Sequence, residues 1–283
     1  MTAIHVSSAT GVLKKVLLSR PDYLALAPIN KIAADWMAKG ITINQDRAIR
    51  EHDQLIEIYK SNGIEVEILE PIEGLTSMVF ARDFGFNLKE GFVLGRFKEK
   101  LRQKESEKYA MKLEELGVPM IARCTEGVVE GGDFWQLDEK TLAIGKLQRS
   151  NERGIDNIRQ QLIPYGYEII EVKSDPRYLH LDMIFNIVGE KTAVSYWDGL
   201  PKHFQNYLTD NGYDIISIEE EGVFKHFSNL QALGNKRVIS LKANVDVNNQ
   251  LRDRGFEVFE LDSTEILKTG GGPHCMTFPI SRK

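Results

Sequence analysis

One phrase recurs five times along the chain and restricts the folds open to it. A polar helical stretch is followed by a glycine and then by a short β-branched or aromatic run. It reads SNGIEVEIL at Gly63, ELGVPMIA at Gly117, PYGYEIIEV at Gly166, DNGYDIISI at Gly212 and DRGFEVFEL at Gly255. Each copy predicts a helix ended by a left-handed glycine and continued by a strand. The stretches before the glycines carry apolar residues three and four apart. Leu55, Ile56 and Tyr59 precede the first, Tyr109, Leu113 and Leu116 the second, and Ile155, Ile158 and Leu162 the third. Phe204, Tyr207 and Leu208 precede the fourth, and Val247 and Leu251 the fifth. This spacing gives each helix one buried face.

Upstream of each helix lie one or two strand-like runs. Module one has GVLKKVLLSR. Module two has FGFNL and GFVLGRF about Lys89–Glu90, and module three has DFWQL and TLAIG about Asp138–Lys140. Module four has MIFNIV and TAVSYW about Gly189–Lys191, and module five has NLQAL and RVISL about Gly234–Lys236. The unit is strand, turn, strand, helix, glycine, strand. Five such units predict an α/β fold: one domain over residues 1–283, a pseudo-fivefold propeller of five modules. The competing reading is a generic α/β sheet whose helices happen to end in glycine, a common cap.

Composition excludes several functions. A net charge of -5 with pI ≈ 5.8 does not favour nucleic acid. A mildly acidic surface suits a cationic small molecule. Two cysteines, Cys124 and Cys275, make no disulfide framework and fit a reducing, cytoplasmic setting. The first residues, MTAIHVSSATGVLKK, lack the apolar run of a secretory signal. No run approaches the length of about 18 apolar residues that a membrane span needs, so no membrane partner is expected. There is no CxxC or HxxxH spacing and no phosphate loop, so neither metal nor cofactor is expected. A homodimer is compatible with the sequence.

The chemistry gathers at the starts of strands. Module two carries FARD ending at Asp83, module three VEGGD with Glu130 and Asp133, and module four LHLD with His180 and Asp182. Asp is depleted in strands, so each is a local rule broken. Taken singly, each has an ordinary explanation: a turn cap for Asp83 or Asp133, a hydrogen-bonded structural residue for His180, a turn for GGD. In five modules about an axis, however, equivalent strand ends converge on one cavity. Near the end of the chain stands GGGPHCMTFPI, from Gly270 to Ile280. Three glycines gain a core strand nothing, but they let backbone approach a ligand or another backbone closely. They argue that Cys275 is placed, not merely buried. Cys124 reads as a buried small hydrophobe, Trp135 and Trp197 as core, and His274 as orienting its loop.

A Cys and a His far apart in sequence fit a nucleophile with its acid/base. Carboxylates around the thiol oppose thiolate formation and would repel an oxyanion. They would welcome a guanidinium, which is planar, cationic and a fork of five N–H donors. A cation in the pocket would also favour the thiolate. The site therefore reads as one where a nucleophile attacks a guanidinium carbon.

Together ARD, VEGGD, LHLD and GGGPHCMT resemble the guanidine-modifying (pentein, or amidinotransferase) superfamily, over the whole chain. The resemblance implies a five-module α/β propeller. It implies Cys275 as nucleophile, His180 as general acid/base and Glu130 as its electrostatic support, with Asp83 and Asp182 gripping the guanidinium. GKLQRSN, with Arg149, and the stretch ending KLRQKE, with Arg102, resemble arginine deiminase segments whose arginines bind the substrate carboxylate. The implied activity is a cofactor-free hydrolase of arginine or a close derivative. The alternatives are a dimethylarginine dimethylaminohydrolase, an amidinotransferase, and a non-catalytic pentein binding protein. The chain is shorter than typical deiminases. It has Asp182 where dimethylarginine hydrolases of similar length usually have Lys.

Overall fold

A computed structural model describes residues 5–283. The chain begins with β1 (Leu13–Ser19), helices α1 (Lys31–Ala38) and α2 (Gln45–Ser61), and β2 (Glu65–Leu69). Next come β3 (Gly85–Asn87), β4 (Phe92–Leu94), α3 (Gln103–Glu115) and β5 (Met120–Arg123). They are followed by β6 (Phe134–Gln136), β7 (Thr141–Lys146), α4 (Glu152–Leu162) and β8 (Glu168–Lys173). The fourth group is β9 (Phe185–Gly189), β10 (Thr192–Ser195), α5 (Lys202–Asp210), β11 (Asp214–Ser217) and the short α6 (Glu220–Phe224). The chain ends with β12 (Gln231–Gly234), β13 (Arg237–Leu241), α7 (Val245–Asp253), β14 (Glu257–Leu261) and β15 (Phe278–Arg282).

These strands form five three-stranded sheets of one design: β3-β4-β5, β6-β7-β8, β9-β10-β11, β12-β13-β14 and β15-β1-β2. The first strand runs antiparallel to the second, and the second pairs in parallel with the third across a helix. A hairpin turn suffices for the antiparallel pair, whereas the parallel pair needs a crossover, so each module needs a helix. All five glycines named above have positive φ, from 69° at Gly63 to 80° at Gly117, as the left-handed helix ends require.

Module one differs in one respect. Its first strand comes from the far end of the chain, where β15 pairs antiparallel with β1, placing Leu17 opposite Phe278. No local signal near residue 13 reveals that pairing. Phe278 is fully buried, and its ring stacks on Phe84, which also stacks on Tyr109, with centroids 4.4 and 4.3 Å apart. Burying such a side chain stabilises by about 1.5–3 kcal/mol. The end of the chain is thus fixed into modules one and two, and with it the GGGPHC segment just ahead of β15.

Burial grades across each sheet. The first strands β3, β6, β12 and β15 are buried at every position, while the third strands β2, β5, β8, β11 and β14 are partly exposed. The first strands therefore lie in the interior, and one site residue stands just ahead of each: Asp83, Asp133, Asp182, Asn229 and Cys275. Among the described residues no helix is long and apolar enough to cross a membrane. Trp135 is buried as expected, whereas Trp197 is only partly buried against the core. Cys124 is a free, buried thiol.

Candidate active site

The GGGPHC segment is held at close quarters. Gly270 has φ +97°, and a Cβ on Gly272 would lie 2.8 Å from Asn229 Oδ1. That oxygen accepts from the backbone N–H of His274 (3.1 Å) and of Cys275 (3.2 Å), while Asn229 Nδ2 donates to Cys275 Sγ (3.1 Å). One amide therefore fixes both the loop and the sulfur. On its other side, the Cys275 thiol donates to Asp182 Oδ2 at 3.3 Å, and His274 Nδ1 lies 2.8 Å from the same oxygen. Trp135 stacks on the His274 ring at 4.7 Å. Burial and the nearby Arg82 guanidinium lower the His274 pKa to about 4, so it is neutral and Nδ1 carries the proton donated to Asp182.

His180 sits across the site. Its Nε2 is 2.9 Å from Glu130 Oε2, and its Nδ1 is 3.8 Å from Asp83 Oδ1. A Cβ on Gly132 would lie 2.6 Å from His180 Nδ1, so the second glycine of VEGGD makes room for this ring. Burial opposes the imidazolium. The Asp83 charge and the Glu130 hydrogen bond outweigh it and raise the pKa to about 9. Burial also opposes the Glu130 carboxylate, but the His180 hydrogen bond and the Arg149 charge lower its pKa to about 2. The two form an ion pair at neutral pH. Asp133 receives Ser150 Oγ–H (2.6 Å) and Leu181 N–H (2.8 Å), and burial raises its pKa to about 7. It ties the VEGGD turn to the LHLD turn.

The pocket between these groups is lined by Asp83, His180, Cys275, Arg102 and Arg149, with Ile29 and Asn30 also in its lining. Asn30 caps α1 by accepting from Ala33 N–H and donates to Thr269 O at 2.9 Å, which joins the α1 entry to the GGGPHC loop. Arg149 donates to Ile29 O (2.6 Å) and Glu130 Oε1 (3.4 Å), while its Nε makes no hydrogen bond among the described residues and faces Glu99 Oε1 at 4.0 Å. Arg102 is committed elsewhere. It donates to Asp83 Oδ2 (2.6 Å), to Glu105 Oε2 from Nε (3.1 Å) and Nη2 (2.9 Å), and to the carbonyls of Ser77 and Phe80. It lines the pocket, but its donors hold protein groups, not the free space expected of a substrate-carboxylate ligand.

The electrostatics leave two gaps. Asp83 Oδ1 and Asp182 Oδ1 are buried without a hydrogen-bond partner among the described residues. Burial raises the Asp83 pKa; for Asp182 burial acts the same way but the His274 hydrogen bond prevails, and its pKa is lowered. The Cys275 pKa is raised well above the usual thiol value by burial and then by the Asp182 and Asp83 charges, so the empty site holds a thiol. Donor atoms of Asp83, Glu130 and His180 lie within 4.8 Å of one another, a cluster that could converge on a cation. A metal there would have to displace the proton that His180 carries in the empty site.

All seven residues singled out from sequence lie in or directly behind this site. Two more groups belong to it: Asn229, and His274 as the partner of Asp182. Asn229 had a weak signal, since it stands just ahead of the first strand of module five, where modules two to four carry Asp. His274 had none beyond adjacency to Cys275.

Known proteins agree with the family. The chain is 32% identical over 273 residues to the uncharacterized protein YkgA of Bacillus subtilis, covering 96% of this chain and 93% of YkgA. It is 28% identical over 270 residues to N(G),N(G)-dimethylarginine dimethylaminohydrolase of Mycobacterium tuberculosis, covering 94% and 86%. Among solved structures, the product-bound N-terminal domain of ArgZ, an arginine dihydrolase of Cyanobacteria, superposes with TM-score 0.83 at 25% identity, covering 95% of this chain and 97% of that domain. Residues 20–282 match the family described as N,N dimethylarginine dimethylhydrolase, eukaryotic. The chain belongs to that family, within the pentein superfamily.

Proposed function

We propose that the protein is a cofactor-free hydrolase of the guanidinium group of arginine or a close derivative, acting through a covalent amidino adduct on Cys275. One observation carries this reading. The Cys275 thiol shares its surroundings with two buried carboxylates, each with one oxygen that accepts no hydrogen bond among the described residues: Asp83 Oδ1 and Asp182 Oδ1. A buried anionic oxygen without a partner is costly, and a guanidinium supplies paired N–H donors and the opposite charge. The same arrangement supports reading the five sheets as propeller blades about a shared axis.

In this mechanism the substrate's positive charge offsets the carboxylates that hold Cys275 protonated. The thiol releases its proton to solvent as substrate enters, and the thiolate forms a C–S bond to the guanidinium carbon. His180, protonated and paired with Glu130, gives its proton to the departing nitrogen as the C–N bond breaks. Neutral His180 then takes a proton from water. The hydroxyl adds to the adduct carbon, the C–S bond breaks as the C=O forms, the hydroxyl proton returns to the Cys275 sulfur, and a ureido product leaves. Arg149, which lines the pocket and whose Nε makes no hydrogen bond among the described residues, is assigned to the substrate carboxylate. Arg102 is assigned to hold Asp83.

Unmethylated arginine is the preferred substrate in this reading. Dimethylation of one terminal nitrogen removes two donors and leaves one of the two carboxylates unpaired, at about 1–3 kcal/mol. That corresponds to roughly one to two decades in kcat/KM. The second reading, a dimethylarginine hydrolase, is supported by the family match and by the mycobacterial relative. The test is kcat/KM for L-arginine and for asymmetric dimethylarginine on one preparation, following ammonia, dimethylamine and the ureido product. A preference for the dimethylated substrate selects the second reading. Release of amine from neither overturns guanidinium hydrolysis.

A further inference from the structure

A second, small cavity shares no lining residue with the pocket at Cys275. The adjacent pairs Arg82–Asp83 and His274–Cys275 divide between the two: Arg82 and His274 line the second, Asp83 and Cys275 the first. All five first strands reach it, through Asn87, Gln136, Asn186, Gln231 and Arg282. No carboxylate among the described residues lines it.

Two guanidinium groups face this space. Arg82 is 8% exposed, its side chain makes no hydrogen bond or ion pair among the described residues, and its Nε is buried without a hydrogen-bond partner. Arg282 is 2% exposed and donates only to carbonyls, Gly11 O (2.7 Å) and Ala232 O (2.8 Å). The Trp135 indole Nε1–H is also buried without an acceptor. Burial lowers the Arg82 pKa to about 10, against the pull of Asp182; burial and the Arg82 charge lower the Arg282 pKa to about 9. Both remain cations at neutral pH. Two desolvated positive charges with no counter-charge in the lining are expensive, and such charges are normally paired. The four amides point the other way, since Asn87 Oδ1, Gln136 Oε1, Asn186 Oδ1 and Gln231 Oε1 are unpartnered acceptors. They suit bridging water, which can hydrate an ion seated on the cations.

We propose that this cavity binds one small monovalent anion, chloride or a short carboxylate, held by Arg82, Arg282 and the Trp135 N–H. Its charge supplies what the lining lacks, and waters on the amide oxygens complete its shell. The site adjoins the catalytic loop, because Arg82 N–H donates to Cys275 O at 2.9 Å.

The test is thermal unfolding of the full chain at constant ionic strength, with the bulky anion gluconate replaced stepwise by chloride or by formate. A ligand bound only by the folded state raises Tm in a saturable way. Saturation with chloride alone assigns an inorganic ion, and saturation with formate alone a carboxylate. In Arg82→Gln and in Trp135→Phe, the apparent Kd should rise at least about tenfold, one lost charge-assisted contact. Trp135→Phe keeps the ring beside His274 and carries the test if Arg82→Gln does not fold. No saturable response to either anion overturns the proposal, as does an unchanged response in the variants that fold.

Discussion

Glu130→Gln should separate the acid/base role of His180 from mere proximity. In the native protein a hydrogen bond of 2.9 Å joins the two, and the His180 pKa is about 9. The amide keeps the shape and a hydrogen-bonding group but removes the charge. A hydrogen bond to a charged group is worth about 1.5–3 kcal/mol, or roughly one to two pKa units. Asp83 still supports the imidazolium, so a value near 7.5 follows. The acid that protonates the leaving nitrogen is lost as pH rises through that value; because the Cys275 thiol titrates higher still, the kcat/KM profile climbs as thiolate forms and levels off at about pH 7.5 in the variant, in place of about 9. At pH 8.5 the protonated fraction falls from about three-quarters to about one-tenth, roughly eightfold, while at pH 6.5 it barely changes. Cys275 is governed chiefly by burial, Asp182 and Asp83, so both proteins share the ascending limb. The assay is initial rates on L-arginine from pH 6 to 10. A profile that levels off at the same pH in both proteins would refute the assignment of His180 as the acid.

Three further outcomes follow from the same geometry. Cys275→Ser should stay folded and lose turnover by several decades, since a hydroxyl is a far weaker nucleophile than this thiol; appreciable steady-state activity in the purified variant would remove the covalent step. Asn229→Ala removes the donor to Sγ and the acceptor shared by two backbone N–H groups, so kcat should fall and alkylation of Cys275 by iodoacetamide should change rate; native values for both would make Asn229 incidental. For stability, His180 has its folded pKa raised above 6.5, so its contribution is complete below 6.5 and lost as pH rises through about 9. Glu130 is lowered below 4.5, so its contribution is complete above 4.5 and lost as pH falls through about 2. Denaturant unfolding should find this ion pair's full contribution between pH 4.5 and 6.5. Equal loss of stability in native and His180→Ala proteins on raising pH toward 9 would contradict it.

The parts of the fold legible in the sequence are those set by local physics. A helix face repeats every three or four residues, and a left-handed helix end demands glycine, so Gly63, Gly117, Gly166, Gly212 and Gly255 marked the modules before any coordinates. The partner of β1 was not legible, because the pairing of Leu17 with Phe278 joins the two ends of the chain and no local pattern encodes it. The same distinction runs through the site. Asp83, Asp182 and His180 stood out because carboxylates and a histidine broke the strand pattern in register with the repeat. Asn229 broke no rule strongly enough, since Asn beside a strand reads as a turn residue.

Arg102 shows the limit from the other side. Its stretch resembles a substrate-binding segment, and the residue does reach the pocket. Which acceptors it meets there depends on two carboxylates, one nineteen residues upstream and one a helical turn ahead. Asp83 reaches it only because module two folds its FARD turn back over the start of α3. A buried guanidinium takes the nearest anions, since leaving either Asp83 or Glu105 unpaired in this interior would cost several kcal/mol. The role of a buried charge is therefore fixed by the full set of charges around it, which the fold assembles and a motif does not contain. The same reasoning applies to Arg82, one residue before Asp83 in the same motif. Among the described residues no carboxylate lines its cavity or pairs with its side chain, and that is the observation on which the anion site rests.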